Sequence, residues 1–327
     1  LKMNIFILKK LRKLFKSLGK YEYKILDKIT ILENKKILIN DNTFLKFEKN
    51  KKKSIFIPKK ISIVICFHFN KKRIKNLEKI CSNINQYKFS KNVSIITNDI
   101  NDEKNTFLKK KLIKKLKNFN IVRIKNCPEP NLLPWYCLDF MKKSYKIKSF
   151  SHFLYLEDDI LINPENINYW IYYRKILKSY KLIPAFLRCE FYKNKLFSVD
   201  NIKKINLRDT PKILSNSKSF GFINLKYPYH GSCLMDRDLM KEYSKSKLVS
   251  IDYGIRHKIM KELYPIKELA NIIIGYINVP KGFYNRFFIP FKNFNKIPDY
   301  CITQHLDNKY SKNKTSFGKI EVKNLIK

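Results

Sequence analysis

Four times between Ile61 and Tyr180 the chain passes from a short apolar run into a stretch of helical periodicity, and that alternation restricts the folds open to it. The runs are Ile61–Phe67, Val93–Thr97, Ile121–Ile124 and Phe153–Leu156. The helical stretches are Arg73–Tyr87, Phe107–Phe119, Pro134–Tyr145 and Pro164–Tyr180. Runs that are apolar at nearly every position, not at every second one, fit strands covered on both faces. Strand and helix in repetition fit a parallel sheet. The expected fold is therefore α/β, a mostly parallel sheet flanked by helices, in one domain over residues 58–310. A chain of 327 residues with 44% hydrophobic content can bury a core of that size.

Upstream the pattern changes. Residues 1–20 read as a basic amphipathic helix, with Ile7, Leu11, Leu14, Phe15 and Leu18 on one face and Lys9, Lys10, Arg12, Lys13 and Lys16 around the other. Residues 3–18 of such a helix suit an anionic membrane surface, and they suit docking on the protein body equally well. Residues 21–57 carry short β-prone runs, Thr43–Phe47 among them, and read as a small β-hairpin region closing in a Lys-rich linker. Residues 311–327 read as a C-terminal tail.

The formal net charge is +42, from 69 basic and 27 acidic side chains. Such a surplus draws phosphate-bearing ligands, but Lys, Asn and Ile abound along the whole length while Ala occurs only at Ala185 and Ala270. Drift toward A/T-rich codons accounts for most of the excess, and no specific nucleic-acid partner is expected. The seven cysteines form no C-x-x-C pair and read as reduced thiols. No apolar stretch approaches the roughly 20 residues that span a bilayer, and no secretory segment is read. The expected location is cytoplasmic, with peripheral contact at the inner face of the membrane as a further expectation.

The chemistry is concentrated at Glu157-Asp158-Asp159, where three carboxylates interrupt the apolar run Phe153–Ile162. Like charges stacked there are costly unless a cation neutralises them. Strand alternation places Glu157 and Asp159 on one face and Asp158 on the other. Oxygen ligands at the carboxyl edge of a parallel sheet suit Mn²⁺ or Mg²⁺ held together with a diphosphate, and an acidic strand end bonded to a helix terminus fits the same residues. His68 and Asn70 follow the first strand, and Asn98 and Asp99 the second, where such sheets take nucleotides; as turn formers they have a plainer role. Arg188 and Glu190 share a face and read either as acceptor contacts or as an ion pair. Gly231-Ser232, after His230, forms a small turn, and in a chain with seven glycines it suggests a close backbone approach to a ligand. Asp252 opens a helix, and His305 follows a short apolar segment.

In that order the parts resemble glycosyltransferases of the GT-A fold: a nucleotide-binding β/α half, a DXD-type acidic motif, a glycine-containing loop, an acidic residue starting a helix and a C-terminal histidine. Asn131–Trp135 and His305–Tyr310 look like bacterial family-2-type transferases that build surface polysaccharides. The resemblance covers residues 60–310 and implies a hexosyltransferase that moves a sugar from a nucleotide-diphosphate donor, a UDP-sugar first, to a hydroxyl of a glycan or lipid-linked acceptor with inversion. It implies Asp159, Glu157 and His305 as metal ligands for Mn²⁺ or Mg²⁺ and Asp252 as the base. Asp158 would contact the donor, and His230, Gly231 and Ser232 would line the sugar and acceptor pocket. The triplet reads Glu-Asp-Asp where the family has Asp-x-Asp, and Ile251-Asp252 stands where it has Glu-Asp.

Two other classes share some of these features. A sugar nucleotidyltransferase needs a glycine-rich loop after the first strand to cradle a triphosphate, and Phe67–Lys72 contains no glycine. A basic membrane- or nucleic-acid-binding module would need no divalent ion and would leave the acidic triplet unexplained.

Overall fold

The computed structural model describes residues 38–327 apart from 54–55, 128–131, 227, 230, 247–273, 281 and 314–315. The basic helix expected over residues 1–20, most of the hairpin region, His230 and Asp252 lie outside the described residues.

The alternating segment forms a five-stranded sheet in the order Ser232–Asp236, His152–Glu157, Lys60–Phe67, Ser90–Asn98, Asn120–Ile124. The last four are parallel, and Ser232–Asp236 runs antiparallel along the acidic strand with Ser232 opposite Leu156. From Ile61 to Phe67 the central strand is buried at every position, as a run without a polar face requires. Helices Ile74–Asn85, Leu133–Tyr145 and Pro164–Leu177 fall where the periodicity places them, whereas the second helix, expected over Phe107–Phe119, is Asp102–Ile113, capped by Asn101, which accepts from Lys104 N. Ile74–Asn85 buries Ile74, Leu77, Ile80, Cys81 and Ile84, a stripe at helical spacing. Pro164 opens its helix, and the Asn166 side chain accepts from Asn163 N at 2.7 Å.

Two further five-stranded sheets join segments that lie far apart in the sequence. One runs Leu38–Ile39, Lys212–Ser215, Phe220–Asn224, Phe287–Lys292, Ile183–Pro184; the other runs Ile320–Glu321, Lys195–Ser198, Leu187–Tyr192, Ile302–His305, Ile160–Leu161. The second positions the candidate site, because it pairs Ile160 with His305 and Thr303 with Arg188.

Two expectations about the ends of the chain need correcting. Thr43–Phe47 is not a strand: it lies in helix Asp41–Asn50, whose N-cap Asn40 accepts from Asn42 N at 2.9 Å. Phe44 and Phe47, three apart, are buried against Tyr173, so burial of one helix face outweighs β-propensity. Residues 311–327 are not a free tail. Ile320–Glu321 pairs antiparallel with Lys195–Ser198, Ile326 bridges Ile205, and Leu325 and Ile326 are buried.

Among the described residues no helix is long and apolar enough to cross a membrane. None of the seven cysteines is in a disulfide.

Candidate functional site

The acidic strand ends at Glu157, and Asp158 and Asp159 sit in the turn that follows it. Strand alternation therefore stops one residue before it could separate the two aspartates. Instead of pointing to opposite faces, both carboxylates meet Arg73: its Nη2 stands 2.6 Å from Asp158 Oδ1 and 2.5 Å from Asp159 Oδ2. Glu157 turns elsewhere, accepting from the Tyr229 hydroxyl at 2.8 Å.

The turn is bound to the far end of the chain. Leu306 N donates to the Asp159 carbonyl at 2.8 Å, and His305 Nε2 lies 3.3 Å from Asp159 Oδ2. The other ring nitrogen, Nδ1, is 2.6 Å from Glu190 Oε1. Burial would raise the Glu190 carboxyl, but His305 and the Ser311 and Tyr310 amides that bond to it hold it down at about 2. Glu190 is therefore an acceptor only, the Nδ1 proton belongs to the histidine, and Nε2 faces Asp159. Burial pulls the His305 imidazolium down, and the bonds to Asp159 and Glu190 more than reverse this.

Asp159, His305 and Asp307 bring one ligand atom each within 4.8 Å of one another. Asp307 is fixed by Asn76, whose side-chain amide donates to its Oδ1 at 2.6 Å. Asp158 and Asp159 are both 2% exposed, yet Asp158 Oδ2 and Asp159 Oδ1 have no hydrogen-bond partner. Buried carboxylate oxygens left without donors are costly, and a divalent cation with hard oxygen ligands would satisfy them. The donor set thus fits a divalent metal. Burial raises both aspartates, but unequally in outcome: Asp158 ends well above the usual carboxylate range despite Arg73, while His305 and Arg73 bring Asp159 well below it. Adjacent carboxylates oppose each other's ionisation.

The remaining expected residues fall into place around this turn. Gly231 has φ +59°, and a Cβ there would lie 2.8 Å from Ile160 Cγ1 and 3.1 Å from Glu157 Oε2. The close approach is to the acidic strand itself, whose Glu157 N donates to the Gly231 carbonyl at 2.8 Å. Ser232 is buried beside it. Arg188 and Glu190 do not pair with each other. Arg188 makes a two-nitrogen contact with Asp200, at 3.2 and 2.5 Å, and its guanidinium lies 4.5 Å from the Tyr229 ring centre. Arg188 and Glu190 thus hold the site's walls, one through Tyr229 to Glu157 and the other through His305 to Asp159. Asn98 accepts from Phe69 N at 2.7 Å and Asn70 from Lys72 N at 2.9 Å, so both shape the turns at the first two strand ends. His68 is half-buried beside them, its imidazolium disfavoured by burial and by the nearby Arg73, and Asp99 is exposed.

Sequence reasoning missed Arg73, Asp307, Tyr229 and Asp200. Asp307 lies two residues beyond His305, a spacing that could have suggested a second ligand on the same segment.

A comparison with protein-family models finds no match, and a comparison with curated proteins finds none either. Among solved structures the chain is similar to TarS of S. aureus, at 13% identity over 56% of this chain and 29% of that one, with a TM-score of 0.33. A structure of TarS residues 1–349 matches at 12% identity over 77% of this chain and 62% of that one, with a TM-score of 0.38. The chain spans less than two thirds of the length of either structure.

Proposed function

We propose that the protein is a metal-dependent glycosyltransferase that moves a sugar, of the hexosyl type, from a nucleotide-diphosphate donor to a hydroxyl of a glycan or lipid-linked acceptor. The observation that carries the reading is the cluster Asp159, His305 and Asp307 beside two buried, unpartnered carboxylate oxygens at the carboxyl edge of a parallel strand. Asp159, His305 and Asp307 would hold Mn²⁺ or Mg²⁺. A bound divalent ion supplies positive charge against the negative charge of a departing diphosphate.

The chain's own residues do the rest. Glu190 fixes the His305 ring so that Nε2 faces the cluster. Glu157 stands beside the cluster instead of in it, tied to Tyr229. Asp158 is the donor contact, and His68, Asn70, Asn98 and Asp99 line the strand ends that take the nucleotide, a UDP-sugar first. His230, Gly231 and Ser232 border the sugar and acceptor. Asp252 takes the acceptor's proton as its oxygen attacks the anomeric carbon, which inverts the configuration.

A panel of UDP-, GDP- and CMP-sugars titrated into the protein with and without Mn²⁺ tests this reading. Binding of at least one donor that depends on the ion is expected; no ion-dependent binding across the panel would sink it. The configuration of the product tests Asp252 separately.

A further inference from the structure

The guanidinium in the acidic turn makes an unusual set of contacts. Arginine ordinarily meets carboxylates through two nitrogens in a planar fork, as Arg188 meets Asp200. At Arg73 a single nitrogen, Nη2, takes Asp158 at 2.6 Å and Asp159 at 2.5 Å, with Asp307 at 3.8 Å. Its Nε is buried with no hydrogen-bond partner. Three carboxylates around one atom, with the fork unused, is the surrounding of a point charge.

That atom sits among carboxylates that also belong to the metal-fitting cluster, Asp159 and Asp307. Two cations a few ångströms apart repel in a partly desolvated site, so Arg73 and a divalent ion exclude one another there. The two sides differ in freedom to move. The Arg73 side chain is 32% exposed, whereas those of Asp158 and Asp159 are 3% exposed. Asp159 is further tethered through its carbonyl to Leu306 N. Arg73 can leave toward solvent while the carboxylates stay.

We infer that Arg73 is a tethered counter-ion of the acidic site: it neutralises the aspartates while no divalent ion is bound, and an entering ion displaces it. The inference rests on the metal-site reading above and adds a competitor that sets the affinity of that site.

Calorimetric titration of Mn²⁺ into wild type, Arg73→Gln and Asp159→Asn separates the outcomes. Arg73→Gln is expected to bind Mn²⁺ at least tenfold more tightly than wild type, and Asp159→Asn not to bind it. In metal-free buffer Arg73→Gln should melt below wild type, with Mn²⁺ closing the gap. Equal or weaker Mn²⁺ binding by Arg73→Gln overturns the counter-ion role and leaves the metal site standing. No Mn²⁺ binding by either wild type or Arg73→Gln overturns both. Wild type offers a readout that needs no variant: modification of Arg73 by phenylglyoxal, followed by mass spectrometry, should rise when Mn²⁺ is added. An unchanged rate would count against displacement.

Discussion

Glu190 lies 2.6 Å from the Nδ1 of His305, and this one bond turns the other ring nitrogen toward Asp159. The histidine is 1% exposed and cannot reorient through solvent, so its ring direction is set by a carboxylate that itself takes no part in the ligand cluster.

Removing that carboxylate should loosen the metal without removing a ligand. Glu190→Ala is expected to weaken Mn²⁺ binding about 10- to 100-fold, the usual effect of losing the partner behind a ligating histidine. Calorimetry measures it, and an unchanged affinity would show that packing alone orients the ring.

Asp159 stands between Arg73 on one side and His305 on the other. Asp159→Asn should abolish turnover with a donor and acceptor while the far-ultraviolet spectrum stays that of the wild type. Asp307→Asn, which keeps the contact to Asn76 within reach, should weaken Mn²⁺ binding less. Full activity in Asp159→Asn would remove it from the site.

His152 sets a pH limit on stability. Burial pushes its imidazolium down to about 4 from 6.5, with Asp236 only partly opposing and Lys175 adding to the fall. The folded chain therefore resists protonation that the unfolded chain accepts. The contribution is fully present above pH 6.5 and is lost as the pH falls toward about 4. At 1.36 kcal/mol per unit the loss is at most about 3 kcal/mol, less to the extent that solvent reaches the ring. His152→Gln should flatten the urea-unfolding midpoint across that window; an unchanged slope would assign the pH dependence to other groups.

Phe44 anchors helix Asp41–Asn50 on the protein body, stacked at 5.4 Å on Phe220 and tilted on Phe222 at 5.5 Å. It is 1% exposed, and Phe44→Ala is expected to cost about 3–5 kcal/mol by urea denaturation. A loss below about 1 kcal/mol would mean that the helix contributes little to the fold.

The central sheet was legible because each of its strands is followed by its own helix, so the pattern is local. The other two sheets were not, because their pairs join distant segments: Ile160 meets His305, and Leu38 meets Leu214. The same holds for the site. The acidic triplet stood out as charge within an apolar run, but its partition between Arg73 and Tyr229 depends on where the strand stops, and alternation alone assigned Asp158 to the wrong face.

A signal for Arg73 did exist in the composition. Only nine of the 69 basic residues are arginine in a chain drifting toward lysine. Arg73, Arg123, Arg174, Arg188, Arg237 and Arg286 each contact two or more acceptor oxygens. In these six places the arginine gathers several acceptor oxygens around one cationic side chain.

The pairing of Ile160–Leu161 with Gln304–His305 has a consequence for how the protein comes into being. A nascent chain released between Asp159 and Ile302 carries Arg73, Asp158 and Asp159, but neither the histidine nor Asp307. The acidic turn is therefore made well before the segment that brings His305 and Asp307 beside it, and a product truncated in that interval lacks two of the three residues of the cluster.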